Sequence, residues 1–290
     1  MTTRTLVHVI QSMLTSDGAG VKLRRSLGSQ RGLHVDPFLM LDEFYSDNPD
    51  DYIAGFPSHP HRGFETVTYM LDGHMRHEDH LGNRGDLGPG SVQWMTAARG
   101  IIHSEMPQQS EGRLRGFQLW LNLPSQEKMR PASYRDIPAG EIPLVRLPQG
   151  GEAKIIAGTL KLNGDSYSGP INGGTKLSTD PLYLDVRLPA GAEFSAPIKA
   201  GHNAFLYAYE GSAQIGSAGS AKTLPYRAAG VLSDGDRVQV QAGADGVRFL
   251  LLAAKPIREP VVQYGPFVMN TREEIEQALA DYRDGRLAAA

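Results

Sequence analysis

The sequence predicts an all-β protein built from two domains, and three observations carry that expectation. Its 33 glycines and 19 prolines are spread evenly, and they punctuate short runs rich in Val, Ile, Leu, Phe and Tyr at intervals of about 8 to 12 residues, the spacing of strands in a sandwich or barrel. Between residues 20 and 260 there is almost no sustained 3.6-residue periodicity. The strand plan also recurs: VTYMLDGHM (67–75) resembles FLYAYEGSA (205–213), and GFQLWLNLP (116–124) resembles RFLLLAAKP (248–256). A chain of 290 residues is long enough for two cores, since domains commonly hold about 100 to 200 residues.

Taken in order, the first twenty residues, MTTRTLVHVIQSMLTSDGAG, contain a short apolar stretch interrupted by His8 and Gln11, without the long apolar core of a secretory signal. A cytoplasmic location is the expectation. The run FPSHPHRGFETVTY (56–69) reads as a strand, and GIIHSEMP (100–107) as another. The polar, proline-bearing stretch PSQEKMRPASYRD (124–136) reads as a linker, which places domains at 1–137 and 138–290. NGDSYSGPINGGTKLSTD (163–180) reads as a long surface loop, either a lid or a hairpin. A helix is expected at 272–284: Thr271 and Glu274 form a capping box, Ile275, Ala278, Leu279 and Tyr282 share a face, and Gly285 is the stop.

Composition narrows the function classes. The chain carries 29 Lys plus Arg against 32 Asp plus Glu, a net charge of -3, so it has no general attraction for nucleic acid or an anionic membrane. It has no cysteine, which removes disulfides, thiolate ligands and a cysteine nucleophile together. Any metal must be held by nitrogen and oxygen.

Those donors occur in pairs. Alternation along a strand puts His59, His61 and Glu65 on one face, and His103 and Glu105 share a face 42 residues after His61. Two such pairs on neighbouring strands make a four-ligand pocket of His59, His61, His103 and Glu105. Glu65 lies roughly 20 Å from His59 along an extended strand, so it approaches the same point only if Arg62-Gly63 bends the chain. It is expected beside the ligands. His74, His77 and His80 follow a turn glycine amid charge and read as exposed, and His34 and His202 lack a partner at a useful spacing. Setting Gly73 against Gly211 puts Pro197 and Lys199 where His59 and His61 stand, so the second half has lost the donors.

The run Gly55, His59, His61, Glu65, Gly73 resembles the first cupin motif, and GDLGPGSVQWMTAARGIIHSE (85–105) resembles the second. FPSHPHRGFETVTYML, VQWMTAARGIIHSEMP, GFQLWLNLP and EPVVQYGPFVMNT (259–271) together resemble the pirin family over nearly the whole chain. The resemblance implies a bicupin, two β-barrel (jelly-roll) domains face to face, with one metal, usually iron, in the N-terminal barrel and none in the other. Carried over, the family's ligands fall on His59, His61, His103 and Glu105.

Three imidazoles and a carboxylate suit Fe(II), Mn, Co, Ni, Cu or Zn, and four protein ligands leave one or two positions open on a five- or six-coordinate ion. The resemblance implies a dioxygenase cleaving flavonols such as quercetin with O2, in which Glu105 is both ligand and general base for the substrate 3-hydroxyl. Phe56, Trp94, Met95 and Trp120 are candidates to wall a pocket for a flat aromatic. A second expectation, also from the family, is an iron-dependent regulator that binds a transcription factor or metabolic enzyme. A third is non-redox metal chemistry such as isomerisation.

Overall fold

The computed structural model describes residues 2–30, 32–171 and 177–288. The chain forms two compact units, both built from antiparallel strands. One unit comprises Met13–His34, Phe38–Ala139 and Ile257–Ala290, the other Met1–Ser12, Val35–Pro37 and Gly140–Pro256. The expected division at 137/138 therefore differs from this partition at both ends, because each end of the chain belongs to the opposite unit. Periodicity along a sequence shows that a strand exists, whereas its partner is chosen by which sheet edge needs covering.

The histidine-bearing unit is a sandwich of two sheets. A seven-stranded sheet runs in the order Ser133–Ile137, Val92–Thr96, Phe64–Asp72, Leu114–Asn122, Phe38–Ser46, Val21–Arg25, Met13–Asp17. A four-stranded sheet runs Phe56–His61, Ile101–Pro107, Met75–Asp79, Arg84–Leu87. Phe64, Val67, Tyr69, Phe117, Leu119 and Leu121 are completely or almost completely buried, as the residues of a central strand pair must be when both faces are covered.

The other unit is a nine-stranded sheet whose long members are Asn203–Ile215 and Arg237–Ala254. Leu6–Gln11 lies at its edge, paired antiparallel with Ala228–Leu232. Its interior is one continuous apolar cluster that includes Leu184, Val186, Phe194, Leu206, Phe249 and Leu251. Pro197 and Lys199 are exposed there, and among the described residues no metal-binding cluster falls in this unit. The stretch expected as a lid or a hairpin begins in the turn of a hairpin. Thr159–Leu162 pairs with Asp165–Ser168 across Asn163-Gly164, both at positive φ (51° and 93°), a signal for a tight two-residue turn. Residues 172–176 lie outside the described residues, so the lid expectation does too.

The one α-helix among the described residues, Arg272–Arg283, packs Ile275 and Ala278 with Phe267, Met269 and Ile102. Leu279 and Tyr282, expected on the same apolar face, are 39% and 43% exposed. No helix among the described residues is long and apolar enough to cross a membrane. The capping box forms as expected: the Glu274 amide donates to Thr271 Oγ1 at 3.2 Å, and the Thr271 amide donates to Glu274 Oε2 at 3.0 Å. Replacing Thr271 by Ala is expected to cost about 1 kcal/mol in urea unfolding, while Thr271→Ser holds within a few tenths.

Candidate metal centre

The run 56–69 is two strands in two sheets, not one. Phe56–His61 pairs with Ile101–Pro107 in the four-stranded sheet, and Phe64–Asp72 lies in the seven-stranded sheet. The chain turns at Gly63, whose φ of +95° is one that side-chain-bearing residues rarely adopt. This break separates Glu65 from the histidines.

Register then brings the histidines together. His103 stands directly opposite His59, and Ile101 opposite His61, so the three imidazoles project from one face into the interior of the sandwich. Their ring centroids are 4.7 Å (His59–His61), 4.4 Å (His59–His103) and 5.0 Å (His61–His103) apart. One ligand nitrogen from each lies within 4.8 Å of the others. His61 and His103 are 3% and 2% exposed, and His59 is half-buried.

Hydrogen-bond partners, or their absence, leave nitrogens free for a metal. His59 Nδ1 is 2.8 Å from the Pro57 carbonyl and must donate to it, which leaves Nε2 bare. That Nε2 is 3.1 Å from His61 Nε2. Two nitrogens bound to one metal at about 2.0–2.1 Å stand roughly 3 Å apart, so the spacing fits a shared ion. His103 Nε2 is buried without a hydrogen-bond partner, and an orphaned buried acceptor asks for a ligand. Burial, reinforced by the neighbouring imidazoles, holds both His61 and His103 well below the ordinary histidine range. Both stay neutral, as ligands must.

Glu105 lies on the His103 strand, opposite Phe56 after a register shift. Its Oε1 accepts from Thr68 Oγ1 at 2.8 Å and its Oε2 from Gln118 Nε2 at 3.0 Å. Thr68 and Gln118 face each other across two strands of the opposite sheet, so the carboxylate bridges the interior. Sequence reasoning missed both; only the pairing of sheets reveals them. Glu65 points elsewhere. It is 1% exposed, accepts from Thr96 Oγ1 at 2.7 Å and pairs with Arg130 at 3.5 Å, while burial raises its pKa.

A cavity of about 1120 Å³ opens over His59, His61, Glu105, Thr68 and Gln118, somewhat above the usual 300–1,000 Å³ of small-molecule sites. Leu39, Met40, Phe56 and Trp120 wall it, and Trp120 packs edge-on to His61 at 5.3 Å. Trp94 and Met95 do not line it. Both are buried, and Met95 packs with Ala97, Ile101 and Tyr134, because consecutive positions on an inner strand are covered on both faces.

The family model described as pirin matches residues 20–121, and that of the pirin C-terminal cupin domain matches residues 183–288. The chain belongs to the pirin family. A Pseudomonas aeruginosa protein named "Putative quercetin 2,3-dioxygenase" is 55% identical over 94% of both chains. A crystal structure of quercetin 2,3-dioxygenase from Acinetobacter baumannii superposes with a TM-score of 0.86 at 30% identity, covering 99% of each chain. A bacterial pirin from Escherichia coli, solved in complex with nickel(II), shares the fold with a TM-score of 0.61 at 21% identity, covering 86% of this chain and 98% of that one. The chain accordingly carries two cupin domains.

In this member of the pirin family His74 and His80 are exposed as expected, but His77 is not. Its side chain is fully buried, because the Met75–Asp79 strand is covered and His77 falls on the inward face opposite Glu105. His34 is exposed at the cavity rim, and His202 sits 3.5 Å from Asp180 in the other unit.

The back of the site is closed by the C-terminal segment. Arg62 Nη1 pairs with Asp281 at 2.8 Å, and the Val268 amide donates to the Arg62 carbonyl at 3.0 Å. Lys128, 1% exposed, donates to Gly63 O (2.6 Å), Asn122 Oδ1 (2.6 Å) and Val268 O (3.0 Å). Burial lowers its pKa to about 7, below the roughly 10.4 of an unfolded lysine. Between those values the unfolded chain binds more protons, so Lys128 makes stability rise with pH across that window. Urea unfolding from pH 7 to 10 is expected to show this slope in the wild type and to lose it in Lys128→Met.

Proposed function

We propose that this pirin is a metal-dependent dioxygenase that cleaves flavonols such as quercetin with O2. The observation that carries the reading is the convergence of three imidazoles at a cavity that Glu105 also lines and that is wide enough for a flat aromatic. His59, His61 and His103 would hold the metal, with Glu105 as the fourth ligand. The donor set admits any of several first-row ions; iron is our choice, and the nickel-bound Escherichia coli relative makes nickel the first alternative.

When bound, the metal supplies charge stabilisation for the substrate anion and one-electron chemistry with O2. The chain's residues do the rest. The Glu105 carboxylate takes the proton from the substrate 3-hydroxyl. Thr68 and Gln118 hold that carboxylate in place from the opposite sheet. Phe56 and Trp120, with Leu39 and Met40, cover the faces of the rings and keep water from the reacting carbons. The regulatory reading shares the metal site but leaves the proton acceptor idle.

The test is metal analysis of protein purified without oxygen, followed by quercetin depletion and carbon monoxide release. Glu105→Gln, which keeps the shape and the Gln118 contact region but loses basicity, is expected to lower kcat by about 100-fold or more while the histidines still retain metal. Zinc-loaded protein that leaves quercetin untouched in every form would sink the dioxygenase reading and leave the regulatory one.

A further inference from the structure

Behind His103 lies a chain of buried polar groups that the proposed chemistry does not use. His103 Nδ1 is 3.2 Å from His77 Nδ1, and His77 Nε2 is 3.5 Å from Asp79 Oδ2. The side chains of His77 and Asp79 are both 0% exposed. Asp79 is itself fixed: its Oδ1 accepts from the amides of Leu81 (2.9 Å) and Asn83 (3.0 Å), and its Oδ2 from Asn83 Nδ2 (2.8 Å). Tyr134 stacks on the His77 ring, centroids 4.7 Å apart and planes 28° from parallel. Gly85 makes room for this, since a Cβ there would lie 2.1 Å from the Tyr134 hydroxyl and 2.2 Å from Asp136. The hydroxyl is held in turn by Gln93 and Asp136.

Hydrogen counting gives the chain a direction. Asp79 only accepts, so the His77 nitrogen facing it carries a hydrogen, and in the neutral ring His77 Nδ1 is then bare. His103 Nδ1 must then donate to it, and His103 Nε2 is left bare, facing His59 and His61. The reverse order sets a bare His77 nitrogen against a carboxylate oxygen. It also puts a hydrogen on His103 Nε2, which has no acceptor, and a buried donor left unpaired is destabilising.

We propose that His77 is a positioning residue: backed by Asp79 and clamped by Tyr134, it fixes the tautomer and ring orientation of His103 so that Nε2 is presented to the metal. This rests on the metal-site reading above. Partners of this kind, hydrogen-bonded to a ligand's second nitrogen, typically change metal affinity by about 10–100-fold.

Two measurements on the full chain test it. In metal-free wild type, ¹⁵N–¹H correlation of the imidazoles is expected to show His103 as the Nδ1–H tautomer; an Nε2–H tautomer overturns the proposal whether or not the protein binds metal. In titrations with Co(II), His77→Phe keeps the ring stacked on Tyr134 but removes the acceptor, and it is expected to weaken binding about 10–100-fold and to shift the visible d–d bands. His77→Asn, which places an oxygen near the lost Nδ1, is expected to recover most of both. Wild-type affinity and an unchanged spectrum in His77→Phe overturn the proposal, as does failure of the asparagine to differ from phenylalanine. If wild type and His61→Ala bind Co(II) equally poorly, the metal reading fails, and the tautomer measurement then decides the role of His77 alone. Should His77→Phe not fold, judged by its near-ultraviolet circular dichroism, the comparison of His77→Asn with wild type carries the titration arm.

Discussion

Replacing His61 by alanine is expected to abolish the stabilisation that metal gives this protein while leaving the metal-free fold nearly intact. His61 contributes one of three converging nitrogens, and its ring lies between Phe64 and Trp120 at 5.1 and 5.3 Å. Losing one of three imidazoles removes a ligand outright, so the fall in affinity should exceed the roughly 100-fold upper figure for an outer partner. A ligand at 100 times its dissociation constant stabilises the native state by about 2.7 kcal/mol, and that increment should vanish. The metal-free variant has opposing terms, because a truncated ring leaves a small void but also removes a desolvated imidazole whose Nδ1 has no hydrogen-bond partner. Its stability should stay within about 1–2 kcal/mol of wild type. Thermal unfolding of wild type and variant, with and without Co(II), gives all four numbers. A variant that keeps the metal-induced shift would remove His61 from the site.

Gly63→Ala is expected to be among the most damaging single-methyl changes in the chain. A Cβ at Gly63 would fall 1.9 Å from the Val268 carbonyl oxygen and 3.0 Å from Met269 Sδ, and the φ of +95° is strained for alanine before any clash. Strain of this kind costs about 1–3 kcal/mol, and overpacking against backbone a similar amount, so a loss of roughly 3–5 kcal/mol should appear in urea unfolding. Gly82 separates the two terms: its φ is +86° and nothing lies within 4 Å of the added carbon, so Gly82→Ala should show the strain alone. If the two variants lose the same amount, the Val268 contact is not tight. If instead Gly63→Ala relieves the clash by freeing the segment from 257 onward, limited proteolysis should cut there first.

What could be read from the sequence was whatever depends on local order. The paired spacing of His59 with His61 and of His103 with Glu105 is visible in one dimension, and so is the capping box at Thr271. The break at Gly63 was not visible as a change of sheet, because a glycine between two apolar runs is equally compatible with a bulge. His77 looked exposed because its sequence neighbours are charged; its burial follows from lying two strands away from His59, a relation that only register supplies. Thr68 and Gln118 are ordinary polar residues on inner strands until the second sheet places Glu105 between them. Trp94 and Met95, large and apolar, suit a pocket wall or the core equally, and the packing of their strand puts them in the core.

The partition of the chain also bears on how quickly the site can be assembled. The unit that carries the histidines is joined by contacts such as Arg62 with Asp281, 219 residues apart in sequence. Folding rates fall as such remote contacts come to dominate a structure, since the intervening chain must lose its freedom before they form. During synthesis, His59, His61 and His103 leave the ribosome long before the strand and helix that close the floor beneath them. The nascent histidines are therefore expected to stay open to solvent until that floor closes after synthesis.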